Sequence, residues 1–159
     1  MRIGCPKEIK PQEFRVGLTP ESAAELVAHG HDVVVESGAG AGIGADDSAY
    51  EGAGARIAHV EEVFATSDIV VKVKEPQAGE RKRLRPGQTL YTYLHLAPDV
   101  AQTADLIASG ATCIAYETVT GARGGLPLLR PMSQVAGRMS IQAGAHALEK
   151  AQGGRGVLL

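Results

Sequence analysis

The sequence has few aromatic residues and no strong charge imbalance. Tryptophan is absent and aromatic residues make up only 4% of the 159 residues, whereas apolar residues make up 44%. A core must therefore be built from Ala, Val, Leu and Ile, and the length suffices for one ordinary domain or one domain with an extension. Sixteen Lys and Arg against eighteen Asp and Glu give a formal charge of −2. This balance supplies no field that would gather nucleic acid or an anionic membrane, so we expect neither as a partner.

Cysteines, metal-ligand spacings and long apolar runs are also scarce. Cys5 and Cys113 lie within predicted strands and no secretory segment precedes them, so we expect reduced, buried thiols. None of the five histidines stands at metal-ligand spacing from another His or Cys, which predicts no metal site. No apolar run reaches the length that spans a bilayer. Together these features predict a soluble, cytoplasmic protein.

Strand and helix patterns alternate along the first 118 residues. Thr19, Pro20 and Glu21 supply a cap residue, an N1 proline and a first-turn acid, so a helix is predicted from there to about His29. The other predicted helices cover residues 46–52, 60–65, 80–84 and 98–108, and the predicted strands cover 2–5, 31–36, 55–57, 69–75, 89–96 and 112–116. Such alternation predicts an α/β fold with a mostly parallel sheet and helices on both faces.

The pattern changes after Thr118. Glycines and prolines mark a connector, and residues 131–151 then predict one long helix with small residues at seven-residue intervals, Ala136 with Ala143 and Gly137 with Gly144. Small side chains on one face allow another helix to approach, which indicates an interface. Residues 155–159 begin an apolar strand pattern, so we expect the chain to be incomplete. The predicted division is 1–129 for the first domain and 130–159 for the long helix.

A glycine cluster at residues 38–44 contains the spacing G-x-G-x-x-A that is found in dinucleotide-binding loops. Its following helix begins at Asp46 and Asp47, whose charges would repel a pyrophosphate. The acids about twenty residues further on, Glu61 and Glu62, fall on a predicted helix and not at a strand end. A tight packing loop is therefore the favoured interpretation.

Three cationic or titratable side chains follow predicted strands. Arg15 lies in the loop after the first strand, whereas Lys74 and His95 stand at the ends of the strands that begin at residues 69 and 89. Each alone could be an ordinary surface residue. Because the carboxyl ends of parallel strands meet at one edge, the set predicts a pocket for a small 2-oxo or 2-amino acid. Arg15 offers a fork for a carboxylate, Lys74 a charge for an oxygen, and His95 a proton carrier, with Glu117 able to balance the cations or orient His95.

Several segments together resemble the alanine dehydrogenase and pyridine nucleotide transhydrogenase family. They include Lys72-Val-Lys-Glu-Pro76 and Leu94-His-Leu-Ala97, and because the matches cover essentially the whole chain in order, the resemblance is specific. The full set of matching segments is 1–8, 13–20, 30–31, 36–40, 72–76, 94–97, 115–118, 126–129 and 131–138. The resemblance implies a Rossmann-like (flavodoxin-like) substrate domain followed by an interdomain helix. It also implies a nucleotide-binding domain after residue 159 that is absent from this chain.

The resemblance further implies NAD-dependent, reversible oxidative deamination of L-alanine to pyruvate and ammonia. Carried over by position, Arg15 and Lys74 resemble the substrate ligands, and His95 resembles the general acid and base, with Lys74 polarising the developing oxygen. Met132 and Ser133 resemble residues that contact the nicotinamide cofactor. The family's assembly implies a homo-oligomer, a hexamer, formed through helix 131–151.

Two alternatives stay open. The family's transhydrogenase branch shares the fold but usually lacks the second lysine of Lys72-Val-Lys74 and the histidine corresponding to His95. Their presence favours amino-acid chemistry over the NAD-binding subunit of a proton-translocating transhydrogenase. The other alternative is a truncated, non-catalytic ligand-binding or oligomerisation domain, and we do not expect the 159-residue chain to turn over by itself.

Overall fold

The computed structural model describes residues 1–159, which form two compact units, Met1–Tyr116 and Glu117–Leu159. The first unit contains six strands and five α-helices, and the second contains the longest helix. The division by contacts falls just after the last strand. The predicted domain boundary at 129/130 lies instead at the start of the long helix, and it stays a prediction.

The six strands form one all-parallel sheet in the order β3-β2-β1-β4-β5-β6. This is the Rossmann order, in which the direction of winding reverses beside the first strand. The predicted α/β fold class is therefore confirmed. The strands are β1 (Arg2–Cys5), β2 (Asp32–Glu36), β3 (Arg56–Ala58), β4 (Ile69–Val71), β5 (Thr89–Thr92) and β6 (Thr112–Ala115).

Three helices begin at or next to the residues where local capping signals predicted them, whereas the helix predicted at 80–84 instead covers Ala78–Arg81 and is capped by Gln77. Thr19 Oγ1 accepts a hydrogen bond from the Ser22 amide, and Asp46 and Asp99 cap the second and fifth helices in the same way. These bonds satisfy amides that the helix itself leaves unpaired. The helices are α1 (Pro20–Ala28), α2 (Asp47–Gly52), α3 (Val60–Thr66), α4 (Ala78–Arg81), α5 (Val100–Ser109) and α6 (Arg130–Leu148).

Three consecutive valines of β2 show how both faces of the sheet are covered. Val33 and Val35 belong to one apolar cluster with residues of α1, whereas Val34 belongs to another with Val63 of α3. Alternate strand side chains point to opposite faces, so helices pack on both sides. A second large cluster forms around β4 and β5, where Phe64, Val70, Leu90 and Leu106 meet.

Some predicted elements are shorter than expected or absent. β4 ends at Val71 and β5 at Thr92, although backbone pairing continues with the Lys72 amide donating to Tyr91 O at 3.0 Å. α6 ends at Leu148 and not near residue 151, because Glu149 has an extended ψ of 141°. Residues 155–159 form no strand. The apolar pattern there was insufficient, since a strand needs a neighbouring strand to pair its backbone groups.

The glycine-rich segment is a tightly packed loop. A Cβ at Gly42 would lie 2.2 Å from Phe14 O, and one at Gly40 would lie 2.6 Å from Ala45 O. The Asp47 carboxylate accepts hydrogen bonds from Ser37 Oγ (2.6 Å) and from the Gly38 amide (2.7 Å). A carboxylate of the chain itself therefore occupies donors that a phosphate would need.

Both cysteines are free thiols, Cys5 buried and Cys113 only half-buried, so the predicted burial holds for Cys5 alone. Burial raises the pKa of Cys5 to about 12, which keeps this thiol protonated and unreactive near neutral pH. None of the helices is both long enough and apolar enough to cross a bilayer.

The packing of the glycine loop predicts a difference between two glycine substitutions. Gly42→Ala places a methyl group against backbone of the neighbouring loop, so we expect it to lower the free energy of unfolding by about 1–3 kcal/mol. Gly52, at the end of α2, has no atom within 4 Å of the position that an added methyl group would take. Gly52→Ala should leave stability unchanged or raise it by up to about 1 kcal/mol. Urea unfolding of both variants measures this, and equal effects would contradict the tight contact at Gly42.

Candidate functional site

The loops that follow β1 and β4 meet where the strand order reverses. β1 is hydrogen-bonded to β2 on one side and to β4 on the other. Ligands of open α/β sheets bind outside the carboxyl ends of the strands at this reversal. A cleft of about 390 Å³ beside it is lined by the loop after β1, including Glu8, Glu13 and Arg15, and by part of the glycine loop after β2. Of the predicted site residues, Arg15 lines this cleft, whereas Lys74 and His95 do not. This is the candidate site.

Arg15 is held by a carboxylate of its own loop. Its Nε and Nη2 atoms donate to Glu13 Oε1 and Oε2 at 2.8 and 2.6 Å, and its backbone amide donates to Oε1 at 2.9 Å. Hydrogen bonds from Arg15 keep the pKa of Glu13 below its usual value, and the carboxylate raises the pKa of Arg15 in return. The Glu13 side chain is 7% exposed, whereas that of Arg15 is 50% exposed. The guanidinium is thus oriented and remains accessible.

Lys74 lies three residues beyond the end of β4 and is half-buried. Its carbonyl oxygen accepts from Thr92 Oγ1 at 2.9 Å, and its amide donates to Glu8 Oε1 at 3.4 Å. Lys74 also lies close enough to Glu13 for its charge to lower that carboxyl pKa. Glu13 therefore interacts electrostatically with both Arg15 and Lys74, and these two predicted residues occupy one region.

His95 follows β5, the neighbour of β4 in the sheet, and is exposed. Its φ of 48° lies in the left-handed region, a conformation that is uncommon for residues with a side chain and that clusters at functional sites. Two residues before it, the Tyr93 amide donates to Val73 O at 3.2 Å. His95 is thus on the same sheet edge as Lys74, two residues beyond a direct backbone contact with the segment that carries this lysine.

Lys72 is a site residue that the sequence analysis did not single out for burial. Its side chain is 0% exposed, and Nζ donates to Glu80 Oε1 at 2.7 Å and to Glu8 Oε2 at 3.3 Å. The sequence did contain a signal for this burial, because Lys72 is the one charged residue in the apolar run from Ile69 to Val73. A buried ion needs partners, so acidic residues were to be expected near it. In a continuous strand Lys72 and Lys74 would share one face, because side chains two residues apart point to the same side. Because β4 ends before both, strand alternation does not decide their environments.

Three tyrosines pack edge to face beside this edge of the sheet. The centroid of the Tyr116 ring lies 4.3 Å from that of Tyr91 and 5.0 Å from that of Tyr93, with interplanar angles of 86° and 89°. Burial raises the pKa of Tyr116 well above its ordinary value. Tyr93 also lies close enough to Arg15 to contribute to the raised pKa of that guanidinium. The tyrosine cluster therefore lies close to Arg15 through Tyr93.

Comparison with known proteins identifies the family. The profile described as "Alanine dehydrogenase/PNT, N-terminal domain" matches residues 4–136. The chain belongs to this family. A solved structure of L-alanine dehydrogenase superposes with a TM-score of 0.89 at 51% identity, covering 100% of this chain and 44% of that one.

Curated alanine dehydrogenases match along the whole chain. That of Halomonas elongata is 60% identical, and this chain covers 43% of it; that of Mycobacterium tuberculosis is 52% identical, with the same coverage. A transhydrogenase structure from Sinorhizobium meliloti matches more weakly, with a TM-score of 0.70 and 33% identity over 74% of this chain. The chain thus spans less than half the length of these relatives.

The glycine loop of this alanine dehydrogenase/PNT chain does not fit the phosphates of NAD. In the one loop with a dinucleotide-like spacing, Asp47 takes the Gly38 amide and Ser37 hydroxyl. Met132 and Ser133, the residues expected to contact the nicotinamide, lie in the second unit on the first turns of α6. Both are exposed, and Ser133 Oγ donates to Leu129 O at 3.2 Å. Glu117, which also belongs to the second unit, lies in the short 3₁₀ turn Tyr116–Thr118.

The Glu13–Arg15 pair predicts a specific contribution to acid stability. Because Arg15 lowers the pKa of Glu13 in the folded chain, the folded state holds fewer protons on this carboxyl than the unfolded state does. The pair therefore stabilises the fold above the ordinary value of 4.5, and this contribution is lost as the pH falls through the lowered value.

We expect Glu13→Gln to lower the free energy of unfolding by about 1 kcal/mol at neutral pH. The free energy of unfolding of the variant should also fall less steeply on acidification. Denaturant unfolding from neutral pH to below 4.5 measures this. Glu51→Gln, which removes an exposed carboxylate on α2, is the matched control. An unchanged pH dependence in Glu13→Gln would contradict the assignment.

Proposed function

We propose that this chain is the substrate-binding, N-terminal part of an NAD-dependent alanine dehydrogenase, which interconverts L-alanine with pyruvate and ammonia. The observation that carries the proposal is that Glu13 holds Arg15 in the cleft while Glu8, which lines the same cleft, accepts a hydrogen bond from the Lys74 amide. This arrangement occurs in a chain that is 60% identical to a curated alanine dehydrogenase. A guanidinium and an ammonium at one edge of a sheet suit a small acid with one carboxylate and one adjacent polar group.

Arg15 and Lys74 differ in what they can bind. Glu13 uses the Nε and Nη2 atoms of Arg15, which leaves Nη1 and the second Nη2 hydrogen for a substrate carboxylate. The compact ammonium of Lys74 can stabilise the negative charge that develops on the 2-oxo oxygen when ammonia adds to pyruvate. Binding and polarisation are thereby assigned to separate cations.

His95 is the proposed general acid and base. When ammonia attacks the carbonyl carbon of pyruvate, the nitrogen must lose one proton and the oxygen must gain two before water can leave and an iminium ion remains. An imidazole titrates near neutral pH and can do both. Its exposure and its position beyond β5 leave it accessible to such a substrate. The hydride step belongs to NAD, which the residues described do not hold.

The transhydrogenase function is the second candidate. It is supported by the weaker structural match at 33% identity, and the presence of both Lys74 and His95 argues against it. A non-catalytic ligand-binding or oligomerisation role is the third. The exposed apolar side chains Met132, Val135, Met139 and Ile141 on α6 support a homo-oligomer through helix 131–151. A cytoplasmic location is part of the same proposal.

Calorimetry of the 159-residue chain distinguishes these functions. We expect pyruvate to bind with measurable heat and NAD to bind without it, because the two cations belong to this chain whereas a phosphate-binding loop does not. Arg15→Ala should abolish the pyruvate signal, and Arg123→Ala, which removes an exposed guanidinium of the second unit, should retain it. NAD heat without pyruvate heat would favour the transhydrogenase function, and neither signal would favour an assembly role.

The role of His95 is tested in the complete dehydrogenase that carries this chain. His95→Ala should reduce ammonia-dependent NADH oxidation with pyruvate by about two to four orders of magnitude, the usual share of acid–base catalysis. His59→Ala serves as the control, because His59 is exposed and its side chain makes no capping bond to α3. A loss below about tenfold in His95→Ala would remove this residue from the role.

A further inference from the structure

Three ionisable side chains form a buried cluster at the candidate site, and the function proposed above uses none of them. Lys72 is 0% exposed, Glu80 is 2% exposed and Glu8 is 8% exposed. The Lys72 ammonium lies between the two carboxylates, at 2.7 Å from Glu80 Oε1 and 3.3 Å from Glu8 Oε2. The transfer of charged groups out of water costs free energy even when they are paired. We therefore ask what function this buried cluster serves.

The two carboxylates differ in their remaining contacts. Glu8 Oε1 accepts hydrogen bonds from the backbone amides of Val73 at 2.7 Å and of Lys74 at 3.4 Å. Glu80 Oε2 instead accepts from the Gln77 amide at 2.7 Å, within the capping box of α4. Glu8 therefore bonds to the backbone of Lys74, the proposed substrate-binding lysine. Glu80 bonds instead to the backbone of Gln77, the residue that precedes α4.

Lys72 cannot itself reach a substrate in this arrangement. Its side chain is fully buried, its ammonium faces two carboxylates, and its amide donates to Tyr91 O at 3.0 Å. The two lysines of Lys72-Val-Lys74 thus have different environments, one enclosed and the other half-buried at the site. The Lys72 ammonium is the counter-ion of the Glu8 carboxylate and holds it next to the backbone of Val73.

We propose that Glu8 is a positioning residue for substrate binding, which fixes the Lys74 backbone through its carboxylate while the buried Lys72 fixes Glu8. The proposal rests on the function proposed above for Lys74. Small displacements of a binding group weaken interactions that depend on distance and direction. The Lys74 ammonium needs such support because a lysine side chain is flexible.

Glu8→Gln and Glu80→Gln form a matched pair. Each removes one negative charge from beside the same buried lysine. Only Glu8→Gln also replaces the carboxylate oxygen that accepts from the Val73 and Lys74 amides by a neutral amide oxygen, which is a weaker acceptor. In the complete dehydrogenase we expect Glu8→Gln to raise the KM for pyruvate by about ten- to hundredfold. We expect Glu80→Gln to change it by less than about twofold, although both variants should melt at lower temperature than the wild type.

Amide hydrogen exchange provides a readout that does not depend on turnover. The peptide that contains Val73 and Lys74 should exchange at least about tenfold faster in Glu8→Gln than in the wild type, and at an unchanged rate in Glu80→Gln. Equal KM values or equal exchange in the two variants would overturn the positioning role. If Glu8→Gln does not fold, Glu8→Asp withdraws the carboxylate by one methylene and carries the same expectations.

The outcomes also separate this proposal from the proposed function. A wild-type enzyme without ammonia-dependent NADH oxidation on pyruvate would refute the dehydrogenase function. Faster exchange confined to Glu8→Gln would then still show that Glu8 holds the Lys74 backbone. Turnover by the wild type with no selective effect of Glu8→Gln would refute the positioning role and leave the dehydrogenase function standing.

Discussion

The buried ammonium of Lys72 links three parts of the chain at the edge of the sheet. Glu8 comes from the loop after β1, Lys72 from the end of β4, and Glu80 from α4, and all three side chains are at most 8% exposed. A buried ion is tolerated when it is paired and hydrogen-bonded, so the three segments can adopt only arrangements that keep these contacts.

The reversal of strand order determines where the charged residues collect. Because β1 and β4 are adjacent while their crossovers run to opposite sides, the loops that follow them border one crevice. Arg15 and Lys74, separated by 59 positions in the numbering, thereby come to interact with the same Glu13 carboxylate. The fold supplies the crevice, and the side chains in the two loops carry the proposed affinity for a small carboxylic acid.

Local signals in the sequence were sufficient for most elements. Thr19, Asp46 and Asp99 cap helices as predicted because a cap depends on only three or four neighbouring residues. The lengths of β4 and β5 were not predictable in this way, since a strand ends where its neighbours stop pairing. For the same reason the apolar residues 155–159, which have no adjacent strand, form none. Even the motif Lys72-Val-Lys74 did not indicate which lysine would be enclosed.

The sequence by itself determined the α/β class, the helix starts and the residue types available for chemistry, because hydrophobic period and capping act between near neighbours. Only the tertiary structure decided that Lys72 is buried with Glu8 and Glu80, that Glu13 holds Arg15, and that His95 adopts a left-handed backbone. These features arise from contacts between residues far apart in the chain. Their partners are chosen by the packing of the sheet, which no short stretch of sequence specifies.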